Sequence, residues 1–172
     1  MNINVFFVSL SLGLLMIFFL FKPLNLKQQS FVDVPLFELN GFTLHEMNLE
    51  GLVTFMNGKE AIRYSNRYVV NDINYTDNSK KYIANMKAKH GVYKDDVINL
   101  EGEIIYLRED GLTFRTNSAK YNKQTHIVEA DGKYVSYRGA NVISGNALKY
   151  NNLLDTIESK NVSVTYKLGD KI

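Results

Sequence analysis

The chain opens on an unbroken apolar run. From Ile3 to Phe21 only Asn4, Ser9 and Ser11 are polar, and the first charged side chain is Lys22. At about 1.5 Å of rise per residue the run extends about 28 Å as a helix, the thickness of a hydrocarbon core. Apolar residues fall on every face of that helix, whereas a helix packed on a soluble core keeps a polar face. The exit sequence Phe19-Leu20-Phe21-Lys22-Pro23-Leu24 offers no small residue for signal-peptide cleavage, so the run reads as an uncleaved single-pass anchor. Lys22 and Lys27 lie only on its C-terminal side, which by the positive-inside rule alone favours a cytoplasmic position for the rest of the chain. Two lysines are a small bias, and large domains translocate largely regardless of charge.

Beyond residue 35 the pattern changes to period two. Ile98, Leu100, Ile104 and Tyr106 share one side of an extended segment, as do Leu112, Phe114 and Thr116, and Val162, Val164 and Tyr166. Such alternation predicts half-buried antiparallel strands. Turn signals divide them at Asn57-Gly58, Asp77-Asn78-Ser79, Lys94-Asp95-Asp96, Glu109-Asp110-Gly111, Asn122-Lys123-Gln124, Asp131-Gly132 and Asn151-Asn152. No proline occurs after Pro35, which suits long ladders in which every N–H is needed. No amphipathic helix is predicted after residue 30.

A repeat runs through these strands. Tyr64, Tyr93, Tyr121 and Tyr150 are 29, 28 and 29 residues apart, each preceded by a small residue, and Lys-Tyr-Asn occurs at both 120–122 and 149–151. The repeating unit is a hairpin with its connection, which is not stable alone and must stack on its neighbours. Stacked hairpins bury their apolar faces between two facing layers. Nothing closes such a stack, so its terminal strands keep unpaired edges suited to joining another sheet.

Composition narrows the chemistry. The chain has 172 residues, no Cys, and a formal net charge of +2 from twenty basic and eighteen acidic residues. Absence of cysteine excludes disulfide scaffolds, thiol nucleophiles and zinc-thiolate sites. The near-balanced charge gives no footprint for nucleic acid. His45, His90 and His126 lie far apart in polar stretches, so no metal site is expected. There is no Gly-x-Ser-x-Gly, no phosphate-binding glycine loop followed by Lys and no His-Glu-x-x-His. Glu101 and Glu103, on either side of Gly102, read as surface charges, as do Lys80, Lys81, Lys87 and Lys89. What remains is an anchor and an apolar interior, which is either an ordinary core or a place for acyl chains.

The anchor, the linker and the hairpin repeat resemble the LptC family of lipopolysaccharide-export components. The resemblance covers most of the chain. It is carried by Glu50-Gly51-Leu52-Val53 leading to Ala61-Ile62-Arg63-Tyr64, and by Met86-Lys87-Ala88-Lys89-His90-Gly91-Val92-Tyr93 running on to Leu100-Glu101-Gly102-Glu103-Ile104. Phe114-Arg115-Thr116-Asn117-Ser118-Ala119-Lys120-Tyr121 and Ile143-Ser144-Gly145-Asn146-Ala147-Leu148-Lys149-Tyr150 complete it. The same repeat occurs in the soluble bridge protein and in the N-terminal domain of the outer-membrane translocon; the uncleaved anchor and short length favour LptC.

The resemblance implies an all-β chain, in which a transmembrane helix precedes an elongated open β-jellyroll of stacked antiparallel hairpins. The implied division is 1–22 anchor, 23–35 linker, 36–168 periplasmic β-jellyroll and 169–172 tail. It further implies an inner-membrane, non-enzymatic lipid-transfer component without metal or cofactor. Such a component takes lipopolysaccharide from an ABC transporter complex and passes it to a periplasmic β-jellyroll bridge protein. With alternation, the residues expected to line its groove are Phe42, Leu44, Phe55, Ile62, Val70, Ile83, Ile98, Leu100, Ile104, Leu112, Phe114, Ile143 and Tyr166. Partner contacts are expected at Leu39, Leu49, Gly51, Gly132, Val162, Val164 and Tyr166. The strand around Leu39 to Leu49 would face the transporter and Val162 to Lys167 the bridge. Gly51 and Gly132 match glycines that recur in the family, and bulk at Gly132 is expected to disturb a strand junction. Two other readings of the same residues are an anchored structural adaptor with a filled interior that binds no lipid, and an envelope enzyme with a site assembled across strands.

Overall fold

The computed structural model describes residues 3–20, 33–49 and 51–167. The chain divides into two compact units, residues 1–31 and 32–172. The first contributes one helix, α1 (Ile3–Leu20), long and apolar enough to cross a membrane. No polar stripe interrupts it, and its aromatic side chains meet edge to face at Phe6–Phe7 and Phe18–Phe19. Residues 23–32 of the expected linker and the whole expected tail 169–172 lie outside the described residues.

Among the described residues, the second unit is one antiparallel sheet of nine strands in sequence order. They are β1 (Phe37–Asn48), β2 (Gly51–Arg63), β3 (Tyr68–Asp77), β4 (Ala84–Lys94), β5 (Val97–Arg108), β6 (Leu112–Asn122), β7 (Ile127–Arg138), β8 (Asn141–Asn151) and β9 (Thr156–Thr165). Among the described residues each strand pairs only with its neighbours in the chain, so β1 and β9 are edges and the sheet they form is open. This is the all-β class expected, a jellyroll of stacked antiparallel hairpins. Two expected turns fall inside strands instead. Asn57-Gly58 lies within β2 and Asp131-Gly132 within β7. Real reversals at 64–67 and 139–140 carry Tyr64-Ser65-Asn66-Arg67 and Gly139-Ala140, which the turn signals missed.

The reason is a line of extra residues that crosses the sheet at one level. Residues facing the same side are three apart on either side of it: Val70 and Ile73 on β3, Ala88 and Gly91 on β4, Thr116 and Ala119 on β6. On β5 and β7 the spacing is four, from Leu100 to Ile104 and from Ala130 to Tyr134. Register shifts mark the line on β4 to β9. Positive φ angles mark it at Gly41 (65°), Asp72 (51°), Gly102 (76°), Glu103 (49°), Ala147 (50°) and Asn161 (52°). Bulges of this kind bend a strand and increase its twist. Glycine, Asp and Asn accept the left-handed backbone more readily than other residues.

The bend lets side chains from both sides of the line pack together. Ile73, Ala88 and Ile104 form the buried centre, with Val70, Leu100, Ala119, Tyr75 and Met86 against them. Gly91 makes this possible: a Cβ there would stand 2.5 Å from Ile73 Cδ1 and 3.1 Å from Leu100 Cδ2. Hairpin ends are tied separately. Tyr93 donates to Asp96 (2.9 Å) and Tyr150 to Asp155 (3.1 Å), while the Tyr121 hydroxyl lies 3.3 Å from His126 Nδ1. Three repeat tyrosines thus hold the turn next to them in the chain. Tyr64 departs from the pattern, lying past the end of β2 with its ring 3.9 Å from the Arg67 guanidinium carbon. At the other end Asp110, 8% exposed, takes two bonds of 2.7 Å from Arg108 and lies 3.1 Å from Arg138.

These contacts generate two predictions. Gly91→Val should lower the unfolding free energy by about 1–3 kcal/mol through overpacking. Gly132→Ala, whose new Cβ meets only Ser118 Oγ at 4.0 Å, should stay within about 0.5 kcal/mol. Denaturant titration of the full chain in detergent reads both, and equal effects would refute the packing argument. The second concerns acid. Hydrogen bonding from Arg108, with the Leu112 amide and the Arg138 charge adding to it, holds the Asp110 carboxyl down to about 2. Its stabilisation is complete above the ordinary Asp range near about 4 and is lost as pH falls from there towards 2. Asp110→Asn should therefore lower the melting temperature at neutral pH and flatten its decline in acid; parallel curves for the two proteins would contradict this.

Candidate apolar face and its open edges

Residues paired directly across antiparallel strands point to the same side of a sheet. Following the pairs from edge to edge therefore sorts the side chains into two faces. One inward row runs Leu44, Met56, Tyr75, Met86, Tyr106, Phe114, Ser136, Ile143, Val164. A second, on the far side of the bend, runs Leu39, Ala61, Val70, Gly91, Leu100, Ala119 and then, one strand on, Ala130 and Leu148. All the buried apolar side chains belong to this face, Ala130 being 0% and Ile104 3% exposed. The other face is mainly polar. One of its rows reads Asn40, Glu60, Asn71, His90, Glu101, Ser118.

Small residues make room for large ones across the inward face. The Phe42 ring lies over Gly58, where a Cβ would stand 2.7 Å from it. Tyr134 lies over Gly145, stacks on Phe114 with centroids 5.6 Å apart, and donates to Ser159 Oγ at 2.9 Å, reaching across β8 to β9. Burial raises the Tyr75 and Tyr106 phenols above their ordinary values, so both remain neutral, amphipathic parts of the face. A polar rim bounds the face where Glu46, Thr54, Asp77, Arg108 and Arg138 lie in register. Where the bend crosses β5 to β7, a shallow depression of about 520 Å³ is lined by residues of both faces, Ile104, Thr116 and Tyr134 from the inward side and Ile105, Arg115 and Val135 from the polar one.

The sequence-derived residues distribute unevenly over these faces. Phe42, Leu44, Val70, Ile98, Leu100, Ile104, Leu112, Phe114 and Ile143 fall on the apolar face by register. Phe55 and Ile62 fall on the opposite one, each directly beside an inward residue, Met56 and Ala61. Phe55 packs edge to face on His45 (5.1 Å), and Ile62 pairs with Glu38 and Val69. Ile83 precedes β4 and Tyr166 lies just past β9, and both side chains are exposed. Of the partner-contact set, Leu39, Val162 and Val164 lie on edge strands, and Leu49 and Gly51 at the β1–β2 turn. Gly132 lies on β7, two strands in from an edge. Alternation missed Ile73, Met86, Ala130 and Tyr134. Their signal was the small residues beside them, Gly91 next to Ile73 and Gly145 next to Tyr134.

The apolar face does not end at the buried centre. At β1, Phe37 and Leu44 are each 54% exposed, and at β9, Ile157 is 66% and Val164 60% exposed. Both edges thus show apolar inward side chains beside backbone that pairs with no further strand among the described residues. Catalytic geometry is not seen among the described residues: no three His, Asp or Glu side chains gather as a metal set, and every buried side-chain nitrogen and oxygen has a hydrogen-bond partner. The three histidines are separate, His90 bonding Asn71 (2.7 Å), His45 facing Phe55 and His126 beside Tyr121.

No curated protein matches this sequence. Among solved structures, the chain is similar to LptH from Pseudomonas aeruginosa, described as the LptA homologous periplasmic component of the conserved lipopolysaccharide transport device. Identity is 14%, 81% of this chain and 99% of that chain are covered, and the TM-score is 0.40. The family model described as lipopolysaccharide-assembly, LptC-related, matches residues 9–167. That span takes in most of α1 and all nine strands, so the chain belongs to the LptC-related family and has its role in lipopolysaccharide transport.

Proposed function

We propose that this chain is the inner-membrane-anchored transfer component of lipopolysaccharide export. It receives lipopolysaccharide from an ABC transporter complex at β1 and hands it to a periplasmic β-jellyroll bridge protein at β9. In this reading α1 holds the chain in the inner membrane and the sheet stands in the periplasm. Acyl chains lie on the apolar face, and the sugar head stays in water beyond the polar rim.

One observation carries the reading. The apolar face continues without a closing strand to two edges where large inward side chains are exposed, as Leu44 and Val164 are. A face that served only as a core would be covered there. A sheet of the same kind added at either edge extends the apolar surface and pairs the free backbone groups, so one docking event serves both binding and passage. The chain carries no phosphate-binding loop, so the work of transport comes from the transporter. The apolar face then holds lipid with an affinity close to that of its neighbours, and supply from upstream sets the direction.

Photocrosslinking in cells tests this. A photoreactive residue is placed in turn at Leu44, Phe114 and Ile143, with Glu103 as a control on the polar face. Lipopolysaccharide adducts are expected at the three inward positions and none at Glu103. Protein adducts alone, with no lipid at any position, would replace the transfer reading with that of an anchored structural adaptor.

A further inference from the structure

One row on the polar face crosses the whole sheet. It begins at Glu38 on β1, passes Ile62, Val69, Val92 and Asn99, and ends Lys120, Glu129, Lys149, Glu158 on β6 to β9. Its last four members alternate in sign, one per strand. Opposite charges directly across a pair of strands stabilise it, and like charges destabilise it. Alternation in register favours the pairing of β6 to β9 without closing any ion pair, and it stops at the β9 edge, which pairs with no further strand among the described residues. Glu158 is exposed there with Lys149 on one side only. Lys160 lies on the same face one pleat further along, next to Asn146.

We infer that the β9 edge is built to take a partner strand that places a Lys or Arg opposite Glu158, and that it disfavours a second copy of this chain. The inference rests on the edge-docking reading given above and specifies the partner. A strand with a basic residue at that place continues the alternation by one more pair. This chain's own β1 does the opposite. When two copies are joined with their apolar rows and bend lines aligned, Glu38 falls in the same row as Glu158 and sets two carboxylates side by side. Among the described residues, Glu38 accepts a long hydrogen bond from the Asn40 amide at 3.4 Å. The β1 edge has the same requirement in reverse, for a basic residue on whatever strand docks beside Glu38. The row thus ends in the same sign at both edges, and the stack is directed towards unlike partners rather than towards a homopolymer.

A charge-reversal cycle on the full chain in detergent, at low salt, tests this by sedimentation equilibrium. Glu38→Lys turns the carboxylate pair into an opposite pair and should tighten self-association about three- to tenfold; Glu158→Lys does the same but sets Lys against Lys149 within the chain, so it should tighten association less. The double variant sets Lys beside Lys and should return to the weak association of the parent. Added salt should erase the gain, since the pair is exposed. Glu158→Gln provides a milder variant and should give a smaller tightening than Glu158→Lys. Equal association of parent and single variants would overturn the charge inference while leaving edge docking intact. A double variant tighter than either single one would also overturn it, because net charge and not the pair would then be responsible. Monomers in all variants at every concentration would overturn the charge inference, since an opposite pair would then bring no gain, and would leave docking of unlike partners standing.

Discussion

The structure depends on one constraint: every strand must accommodate its extra residues at the same level. A bulge in a single strand would put that strand out of phase with its neighbours, and a one-residue slip moves all its side chains to the wrong face. Here the extra residues lie in a line from Gly41 through Asp72 and Glu103 to Asn161, so the phase changes together and the apolar face survives on both sides. The cost is local strain at residues other than glycine, of order 1 kcal/mol each. Polar neighbours on the outer side hold these positions. Lys89 reaches Asp72 at 3.5 Å and Glu103 at 4.0 Å, and its stem passes over Gly102, where a Cβ would be only 2.9 Å away.

The same line explains how much of the molecule the sequence reveals. Helix, all-β class, hairpin repeat and open edges come from hydropathy run, alternation and tyrosine spacing, because those signals lie within one element. The faces depend on parity across the bend, which no single strand displays. On β5 two residues, Gly102 and Glu103, are inserted; parity is kept, and Ile98, Leu100, Ile104 and Tyr106 are read correctly from alternation. On β2 the inward residues Met56 and Ala61 are five apart, so alternation carried from one side of Asn57-Gly58 fails on the other, and Phe55 and Ile62 both lie on the polar face. Gly58 and Gly132 look like turn residues for the same reason. Glycine within a strand marks a bulge or a close approach as readily as a reversal, and Gly58 lies beneath the Phe42 ring.

Pairing in strict sequence order has a consequence for how the sheet works. Since β1 to β9 touch only their chain neighbours, stability is spread along the stack rather than concentrated in one closed core, as in repeat proteins. The deeply buried apolar set is short, with Ile73, Ala88 and Ile104 in one cluster and Ala130 and Tyr134 further along. Much of the inward surface is only half-buried, including residues as large as Met86, Tyr106 and Phe114. Ladder hydrogen bonds, the tyrosine ties at Tyr93 and Tyr150 and the Asp110 staple fix the frame without filling it. A frame held by its backbone and its ends is able to leave its apolar side open to a ligand that supplies the missing contacts. Such a sheet does not need a separate lid or cavity, because its apolar face runs from β1 to β9 without being enclosed by a further strand among the described residues.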